Sequence, residues 1–429
     1  MARATGRIRW ILVLVLFLLS GVAYLDRVNL SIAGRFVAEA YGLTNVQLGT
    51  VFSAFILGYA LFQAPAGRLA DRYGPQWVLV TGVIWWSVFT TLTGLMPSRI
   101  VFALPAFLAV RFLLGVGEAV VYPASNRVVA IWIPTPERGL ANGILFAGVG
   151  VGAGIATPLV TAVLGRYGWR WSFYVCALIG LMVAAIWSVV GRNAPDRHPW
   201  VRQPERDHIA RGVPHEAVTA DSVSWLAIAR DRNVLALTLG YATFGYAAYI
   251  FFSWFFIYVN TVRGLDLKAT SYFTTLPFLA MALGSPLGGW LADRLIPRLG
   301  LRKARTTVAM VGLVAAAGFM ALGVRVQEAG LASVVLAGGA GALYLSSSSF
   351  WSTTADIGGS SAGAVSGVMN MGNQLAGAFT STLTPAIANT FGWSASFLVA
   401  SVLLLLGAAA WLLVNPERSL LKQGLQGPK

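Results

Sequence analysis

Twelve runs of mostly apolar residues dominate this chain, each long enough to cross the roughly 30 Å hydrocarbon core of a bilayer as an α-helix of about 20 residues. They are predicted near 9–33, 46–69, 77–96, 100–125, 139–164, 171–191, 233–260, 270–292, 305–325, 330–352, 362–389 and 393–414, which makes six spans, a polar interval and six more. Inside lipid every backbone N–H and C=O needs an internal partner, so runs of this length read as helices. The composition agrees: 57% of residues are hydrophobic and only 11% charged, with a mean hydropathy of +0.70, where a soluble domain carries roughly a quarter charged residues. The predicted class is an all-α integral membrane protein.

Basic residues outnumber acidic ones, 31 Lys and Arg against 16 Asp and Glu. That balance does not indicate nucleic acid, because the basic residues sit in short loops between apolar runs, as in the cytoplasmic loops of membrane proteins. With the N-terminus cytoplasmic, that side receives Arg3, Arg7, Arg9, Arg68, Arg72, Arg127, Arg138, the stretch from Arg192 to Arg232, the cluster Arg294, Arg298, Arg302, Lys303 and Arg305, and Arg418, Lys422 and Lys429. The other side receives Arg35, Arg99, Arg166, Arg170, Arg263, Lys268 and Arg325. Both termini are therefore predicted to be cytoplasmic. The basic start before the run from Trp10 could be read as a signal peptide; a retained first helix is preferred, since no small-x-small cleavage site follows.

A single cysteine, Cys176, lies in an apolar run, which rules out an intrachain disulfide or a cysteine-rich metal site. The histidines, His198, His208 and His215, all fall in one polar segment, so no membrane histidine is available to bind metal or relay protons. No cofactor is expected. That polar segment, Gly191 to Arg232, reads as a linker, with a short surface helix near Ser224 to Ala229. The expected division is 1–191 as a first six-helix bundle, 192–232 as a cytoplasmic linker and 233–429 as a second bundle.

An internal repeat supports the division. Gly67-Arg68-Leu69-Ala70-Asp71-Arg72 recurs as Gly289-Trp290-Leu291-Ala292-Asp293-Arg294, each time at the cytoplasmic end of the second span of a half. On these residues the chain resembles the major facilitator superfamily, whose signature loop between spans two and three is approximately G-x-L-a-D-R-x-G-x-R/K. Here the first copy ends in Gln76 instead of a basic residue, and the second keeps Gly300, Arg302 and Lys303 after an insertion. The resemblance implies about twelve transmembrane helices in two pseudo-symmetric six-helix bundles. A carboxylate at this position can sit against a helix N-terminus, where the macrodipole favours negative charge by about 0.3–1 kcal/mol. Asp71, Arg72, Asp293 and Arg294 are therefore expected to act in gating, as a latch on the cytoplasmic side; the plainer reading is that they cap and orient solvated loops.

A narrower resemblance runs through Tyr24-Leu25-Asp26-Arg27-Val28-Asn29 in span one, Tyr59 in span two, and in span four Arg111 to Glu118 followed by Tyr122-Pro123-Ala124-Ser125-Asn126-Arg127. These are similar to the anion:cation symporter family, which includes bacterial sugar-acid and aromatic-acid transporters and is similar to vertebrate carriers of sialic acid, glutamate and phosphate.

Four ionisable residues lie well inside predicted spans: Asp26, Arg27, Arg111 and Glu118. A charge at a helix centre costs roughly 2.5–3.5 kcal/mol on insertion scales, so such residues face the bundle interior and usually act in transport. Arg111 and Glu118 are two helical turns apart on one face. One reading is a buried network that neutralises itself and fixes the packing of spans one and four. In the other, Asp26 and Glu118 exchange protons while Arg27 and Arg111 alternate between pairing with them and holding a substrate anion. Protonating both acids takes the four charges from zero to plus two. The family resemblance implies that division of labour, with Tyr24 and Tyr59 beside the substrate, and an arginine fork can hold a carboxylate in two parallel hydrogen bonds.

The second half has polar and aromatic candidates instead: Tyr246, Ser346 to Ser349, Trp351, Asn370, Asn373 and Gln374. By resemblance, Ser348 and Trp351 in span ten and Asn370 or Asn373 in span eleven fall where sugar-acid members contact substrate; small polar residues of this kind also simply pack membrane helices. Where those members place a glutamine in span five, this chain has Val149, which suggests a less hydroxylated substrate. Val149 lies in a Gly-rich run from Ala147 to Gly152, explained by close helix packing and not by nucleotide binding, since no strand precedes it.

The expected function is proton-driven import of a small organic carboxylate by alternating access, through a monomer in the cell inner (plasma) membrane. The rivals are a proton-coupled efflux antiporter for drugs or organic cations, for which acids without companion arginines are expected, and an anion exchanger. An enzyme would need a nucleophile, base or metal constellation at the span ends, and a channel or receptor has no need of a duplicated latch.

Overall fold

The computed structural model describes residues 7–97, 102–214 and 223–420. Arg3, Arg99, His215, Lys422 and Lys429 lie outside the described residues. The described chain forms long helices named here α1 (Ile8–Tyr41), α2 (Asn45–Tyr73), α3 (Pro75–Leu95), α4 (Ala103–Trp132), α5 (Arg138–Tyr167), α6 (Trp169–Val190), α7 (Arg232–Val262), α8 (267–299), α9 (301–323), α10 (Ala329–Gly358), α11 (Ala362–Phe391) and α12 (Trp393–Ala410). Their apolar lengths suffice to cross a bilayer, with α8 and α9, and α10 and α11, each following one another almost without interruption.

Several helices run past the ends predicted from hydrophobicity. α1 continues to Tyr41 instead of stopping near 33, and Arg35 pairs with Glu39 one turn on, at 2.8 Å. Polar side chains end an apolar run without ending the helix, because an i,i+4 pair supports helix in water. Start signals are local. Thr44 and Gln47 make a reciprocal capping box at the head of α2, while Asp231, Asp266 and Glu328 cap α7, α8 and α10.

The internal repeat extends to the turns. Gly74 between α2 and α3 and Gly300 between α8 and α9 have φ of 88° and 77°, and Gly168 between α5 and α6 and Gly392 between α11 and α12 have 88° and 84°. Only glycine takes this conformation without strain, so each pair of helices is joined by a one-residue hinge.

Close crossings are also glycine-built. In the Gly-rich run of α5, a Cβ on Gly148 would lie 2.8 Å from Ser20 Cβ of α1, and one on Gly150 would lie 2.9 Å from Ala282 Cβ of α8. The two halves meet where α2 crosses α11 and where α5 crosses α8.

The linker is strapped to the first half. Its helix Gln203–Gly212 places the buried Glu205 against the start of α1, where the carboxylate accepts from the N–H of Ile8 and Arg9 at 3.3 and 3.1 Å. Glu137 pairs with Arg9 at 2.8 Å and with His208 at 2.6 Å. His198 is wedged edge-on between Trp132 and Trp200. The anticipated surface helix is present at Trp225–Arg230, capped by Ser224.

Candidate functional site

The centre of the site is made by a break in α4. Pro123 has no N–H and its ring collides with the carbonyl four residues back, at Ala119, so the helix stops after Glu118 and resumes at Val121. Glu118, fully buried, ends the first segment. Its Oε1 accepts from Arg27 Nε at 2.5 Å, and its Oε2 is buried without a partner.

Arg27 is held by aromatic faces as well as by Glu118. Its guanidinium carbon lies 4.0 Å from the Tyr59 ring centre, 4.8 Å from Tyr24 and 5.3 Å from Phe55, within cation–π range. Phe55 serves a second cation: Arg111 stands 4.9 Å from the same ring. The Nε and Nη1 of Arg111 are buried without hydrogen-bond partners, as is Nη2 of Arg27. Asp26 accepts from Thr90 Oγ1 at 2.6 Å, leaves Oδ1 unpartnered and makes no ion pair with any described residue.

Arg27 and Arg111 line a cavity of about 170 Å³, together with Tyr24, Phe55, Tyr249 and Phe252. A second void, of about 20 Å³, lies among Tyr122, Phe146, Val149, Asn370, Asn373 and Gln374, and is large enough for about one water. Tyr24, Tyr249 and Phe252 line both spaces and form the wall between them. α7 carries a π-helical stretch at Ile250–Trp254, a kind of irregularity common at functional sites, and this is the stretch that presents Phe252.

On the linker face the halves are locked. Asp71 of α2 accepts from the N–H of Gly363 and Ala364 at the start of α11, at 3.0 and 2.8 Å. Asp293 of α8 accepts from Gly139 and Leu140 at the start of α5, at 3.0 and 2.7 Å. Each carboxylate thus caps a helix belonging to the other half. Glycine is required there, since a Cβ on Gly139 would fall 2.6 Å from Asp293 Oδ1 and one on Gly363 2.8 Å from Asp71 Oδ1.

The arginines at the latch differ from those expected. Arg72 and Arg294 point outward on exposed surface, whereas Arg127 lies 3.6 Å from Asp71 and Arg305 lies 2.9 Å from Asp293. Asp356 joins the ring, 2.6 Å from Arg138 and 3.7 Å from Arg305. Asn126 donates to Thr354 at 2.9 Å and Arg127 to the Gly359 carbonyl at 2.8 Å, closing the linker side between α4 and α10. Buried charge therefore extends beyond the four residues inside the spans. A groove of about 410 Å³ opens on the linker face beside Asp293 and Trp290, away from Arg27 and Arg111.

Of the second-half candidates, Asn370 and Asn373 line the central void, with Asn370 Nδ2 donating to Gln63 Oε1 at 2.9 Å. Gln374 accepts from the Tyr249 hydroxyl at 2.5 Å. Trp351 donates to Tyr241 at 2.8 Å and packs on Phe146 and Tyr122, one layer behind the void. Ser348 and Tyr246 are buried with unpartnered hydroxyls. Ser346 and Ser347 return their hydroxyls to their own helix, as packing residues do. Val149 lines the central void. Thr90 and Gln63 escaped the sequence reading because their partners, Asp26 and Asn370, come from other helices.

With the crossings, hinges and latch in place, the family profile described as the Major Facilitator Superfamily matches residues 16–381. The chain belongs to this superfamily. Among superfamily proteins it is 34% identical to the probable sulfoacetate transporter SauU of Cupriavidus necator, over 94% of this chain and 93% of that one. It is 31% identical to a chloroplastic ascorbate transporter of Arabidopsis thaliana, over 94% and 74%, and 28% identical to a D-galactonate transporter of Escherichia coli, over 96% and 97%. The proton:xylose symporter XylE, solved with 6-bromo-6-deoxy-D-glucose, superposes with a TM-score of 0.74 over 97% of this chain and 98% of that one, at 15% identity. The protein is a multi-pass membrane transporter of the major facilitator fold, not an enzyme.

Proposed function

We propose that the protein imports a small organic carboxylate with protons, and that Glu118 is the switch. The observation that carries this reading is the Arg27–Glu118 pair at 2.5 Å beside an unpartnered Arg111, with both guanidiniums facing the same cavity. A proton on Glu118 removes the charge that holds Arg27. Arg27 and Arg111 then present two cationic forks to a carboxylate entering the cavity. Asp26, held by Thr90, is the second proton site.

The linker face is taken as cytoplasmic, which the loop asymmetry of Lys and Arg supports, so the cavity at Arg27 opens outward and the membrane is the plasma membrane. Binding satisfies the arginines and lets the halves, divided at 192–232, rock so that Asp71 and Asp293 release α11 and α5. On the linker side the substrate and proton leave, and Arg27 returns to Glu118. The working unit is a single chain. Relatives are named for sulfoacetate, ascorbate and galactonate, all small organic anions. Two arginines on a cavity whose lining includes no carboxylate disfavour a cationic drug.

The test is a thermal-shift screen of the purified protein against matched panels of organic acids and organic cations at mildly acidic and neutral pH, because a ligand of the folded state raises its apparent stability. Stabilisation by carboxylates that strengthens at acidic pH is expected. Stabilisation by cations alone overturns the reading.

A further inference from the structure

We infer that the linker face carries a site for the headgroup of an anionic phospholipid, where the segment entering α7 meets the chain leaving α12. A pocket of about 420 Å³ opens there, lined by Arg230, Arg232 and Arg418 together with Val223, Ala227 and Leu420. The three arginines are exposed, and none makes a side-chain hydrogen bond or ion pair with a described residue. Among the described residues the one acid of the lining is Asp231, and it is already committed. It is buried, and its Oδ1 caps α7 by accepting from the N–H groups of Asn233 and Val234 at 2.9 and 3.1 Å. Three guanidiniums around one space with no free carboxylate call for an anion, and phosphate is an anion whose oxygens match the guanidinium fork.

The walls of the pocket are fixed by contacts that do not use the arginines. The N–H of Asn415 donates to Asn233 Oδ1 at 2.8 Å, which ties the end of α12 to the start of α7 and brings Arg418 beside Arg232. Leu420 is buried behind it in the core. On the other wall Val223 is held on both sides: its N–H donates to Ser361 Oγ at 2.8 Å and its carbonyl accepts from Arg68 Nη1 at 2.7 Å. Solvated loop arginines spread apart, whereas these are gathered against their mutual repulsion by a backbone pinned on either side.

The surroundings select a lipid over a soluble anion. Leu235 and Leu239 are exposed one turn apart on α7, and Leu412 and Leu413 are exposed at the end of α12. Leu235 lies three residues, about 4.5 Å, deeper along α7 than Arg232. Trp225 and Leu226, on the short helix that ends in Arg230, are also exposed, and an indole at this level is a common anchor at the membrane–water interface. The pocket therefore sits at headgroup depth, with apolar walls below it for acyl chains. The chain beyond Leu420 does not complement the pocket, since residues 421–429 add Lys422 and Lys429 and no acidic side chain.

The full chain in neutral detergent micelles is titrated with phosphatidylglycerol or with phosphatidylcholine of the same acyl chains, and apparent Tm and the lipid retained in native mass spectrometry are read. A ligand of the folded state raises Tm by mass action, so phosphatidylglycerol is expected to stabilise the native protein and to be retained in preference to phosphatidylcholine. Combining Arg230→Gln, Arg232→Gln and Arg418→Gln should raise the phosphatidylglycerol concentration required about a hundredfold, at about fivefold for each basic residue. The same loss of charge outside the pocket, by Arg197→Gln, Arg202→Gln and Arg211→Gln, should leave it nearly unchanged. Arg418→Gln alone, outside the helices, is expected to cost about fivefold and keeps the test decisive if the triple variant does not fold. Equal losses in the two triple variants make net charge the cause and overturn the inference, as does a native protein that does not distinguish the two lipids. Glycerol 3-phosphate that stabilises the protein as well as phosphatidylglycerol does assigns the pocket to a soluble phosphate and overturns the lipid. Phosphatidylglycerol binding that appears only after Glu216→Gln and Asp221→Asn assigns the pocket to acids of the chain itself and overturns it too.

Discussion

The two halves close the linker face with the same device but differ in the middle of the membrane. Asp71 caps α11 and Asp293 caps α5, each across the interface, on equivalent glycines. Toward the other face, the first half carries Asp26, Arg27, Arg111 and Glu118, while the second contributes Tyr249, Phe252, Asn370, Asn373 and Gln374. Duplication has kept the caps across the interface paired and left the buried charges of the spans to one side. Charge needs only one home, because a buried ion pair is costly to build twice, whereas the proposed rocking needs a catch on both bundles.

The comparison is broken most severely at Glu118. Glu118→Gln is expected to abolish accumulation driven by an imposed proton gradient in proteoliposomes, while leaving acid binding measurable, since a neutral amide mimics the protonated state. Full accumulation by this variant would remove Glu118 from coupling. Arg111→Ala is expected to cost binding itself, about 2–5 kcal/mol for losing one partner of a buried charge contact. Arg111→Lys should recover only part, because an ammonium cannot form the two-pronged contact. An equivalent loss on substituting Tyr249 with Phe would spread the chemistry over both halves and end the asymmetry.

Next in size come the paired latches. Asp71→Asn and Asp293→Asn each weaken two contacts to backbone N–H groups, at about 1 kcal/mol per bond. Asp293 also holds Arg305 at 2.9 Å, closer than the 3.6 Å between Asp71 and Arg127, so Asp293→Asn should open the linker face further. Pulsed EPR distances between spin labels on that face, in a Cys176→Ser background, would rank the two. Equal shifts would make the latches interchangeable. Arg72→Ala and Arg294→Ala should leave the distances unchanged.

A smaller effect is expected at Val149→Gln, which restores an amide at the wall of the central void. It should tighten binding of a polyhydroxylated sugar acid by about 0.5–1.5 kcal/mol, the worth of one hydrogen bond. A sugar acid that binds the native protein equally well means that the apolar wall does not select against hydroxyls.

What the sequence revealed follows from which interactions are local. The spans were legible because a bilayer imposes a length on apolar runs, and the latch carboxylates because the motif is written twice. The four central charges stood out against an apolar background. The latch arginines were misplaced for the opposite reason: Arg72 and Arg294 are adjacent to the carboxylates in sequence, but successive residues of a helix point about 100° apart, so they turn away while Arg127 and Arg305 arrive from α4 and α9. Asp356 lay beyond the predicted end of its span, and only the extension of α10 to Gly358 brings it under Arg138. Gln63 looked like one more polar residue until α11 supplied Asn370.

The least effect is expected outside the membrane, at the linker strap, which has no counterpart among the described residues of the second half. His198 accepts from the Trp200 N–H at Nδ1, 3.1 Å away, and so must donate from Nε2 to the Val190 carbonyl at 2.9 Å. The bond accepted at Nδ1 requires the neutral ring, whereas the one donated from Nε2 survives protonation. Burial between Trp132 and Trp200 lowers its pKa, so the folded protein holds fewer protons here than the unfolded chain. Its stabilising contribution is therefore complete above the ordinary histidine value of about 6.5 and shrinks as pH falls below it. Apparent Tm should drop slightly between pH 7 and pH 5, and His198→Phe, which keeps the ring packing and cannot be protonated, should flatten that drop while lowering Tm a little at neutral pH through the lost hydrogen bonds. An identical pH slope in the variant would move the acid sensitivity away from His198.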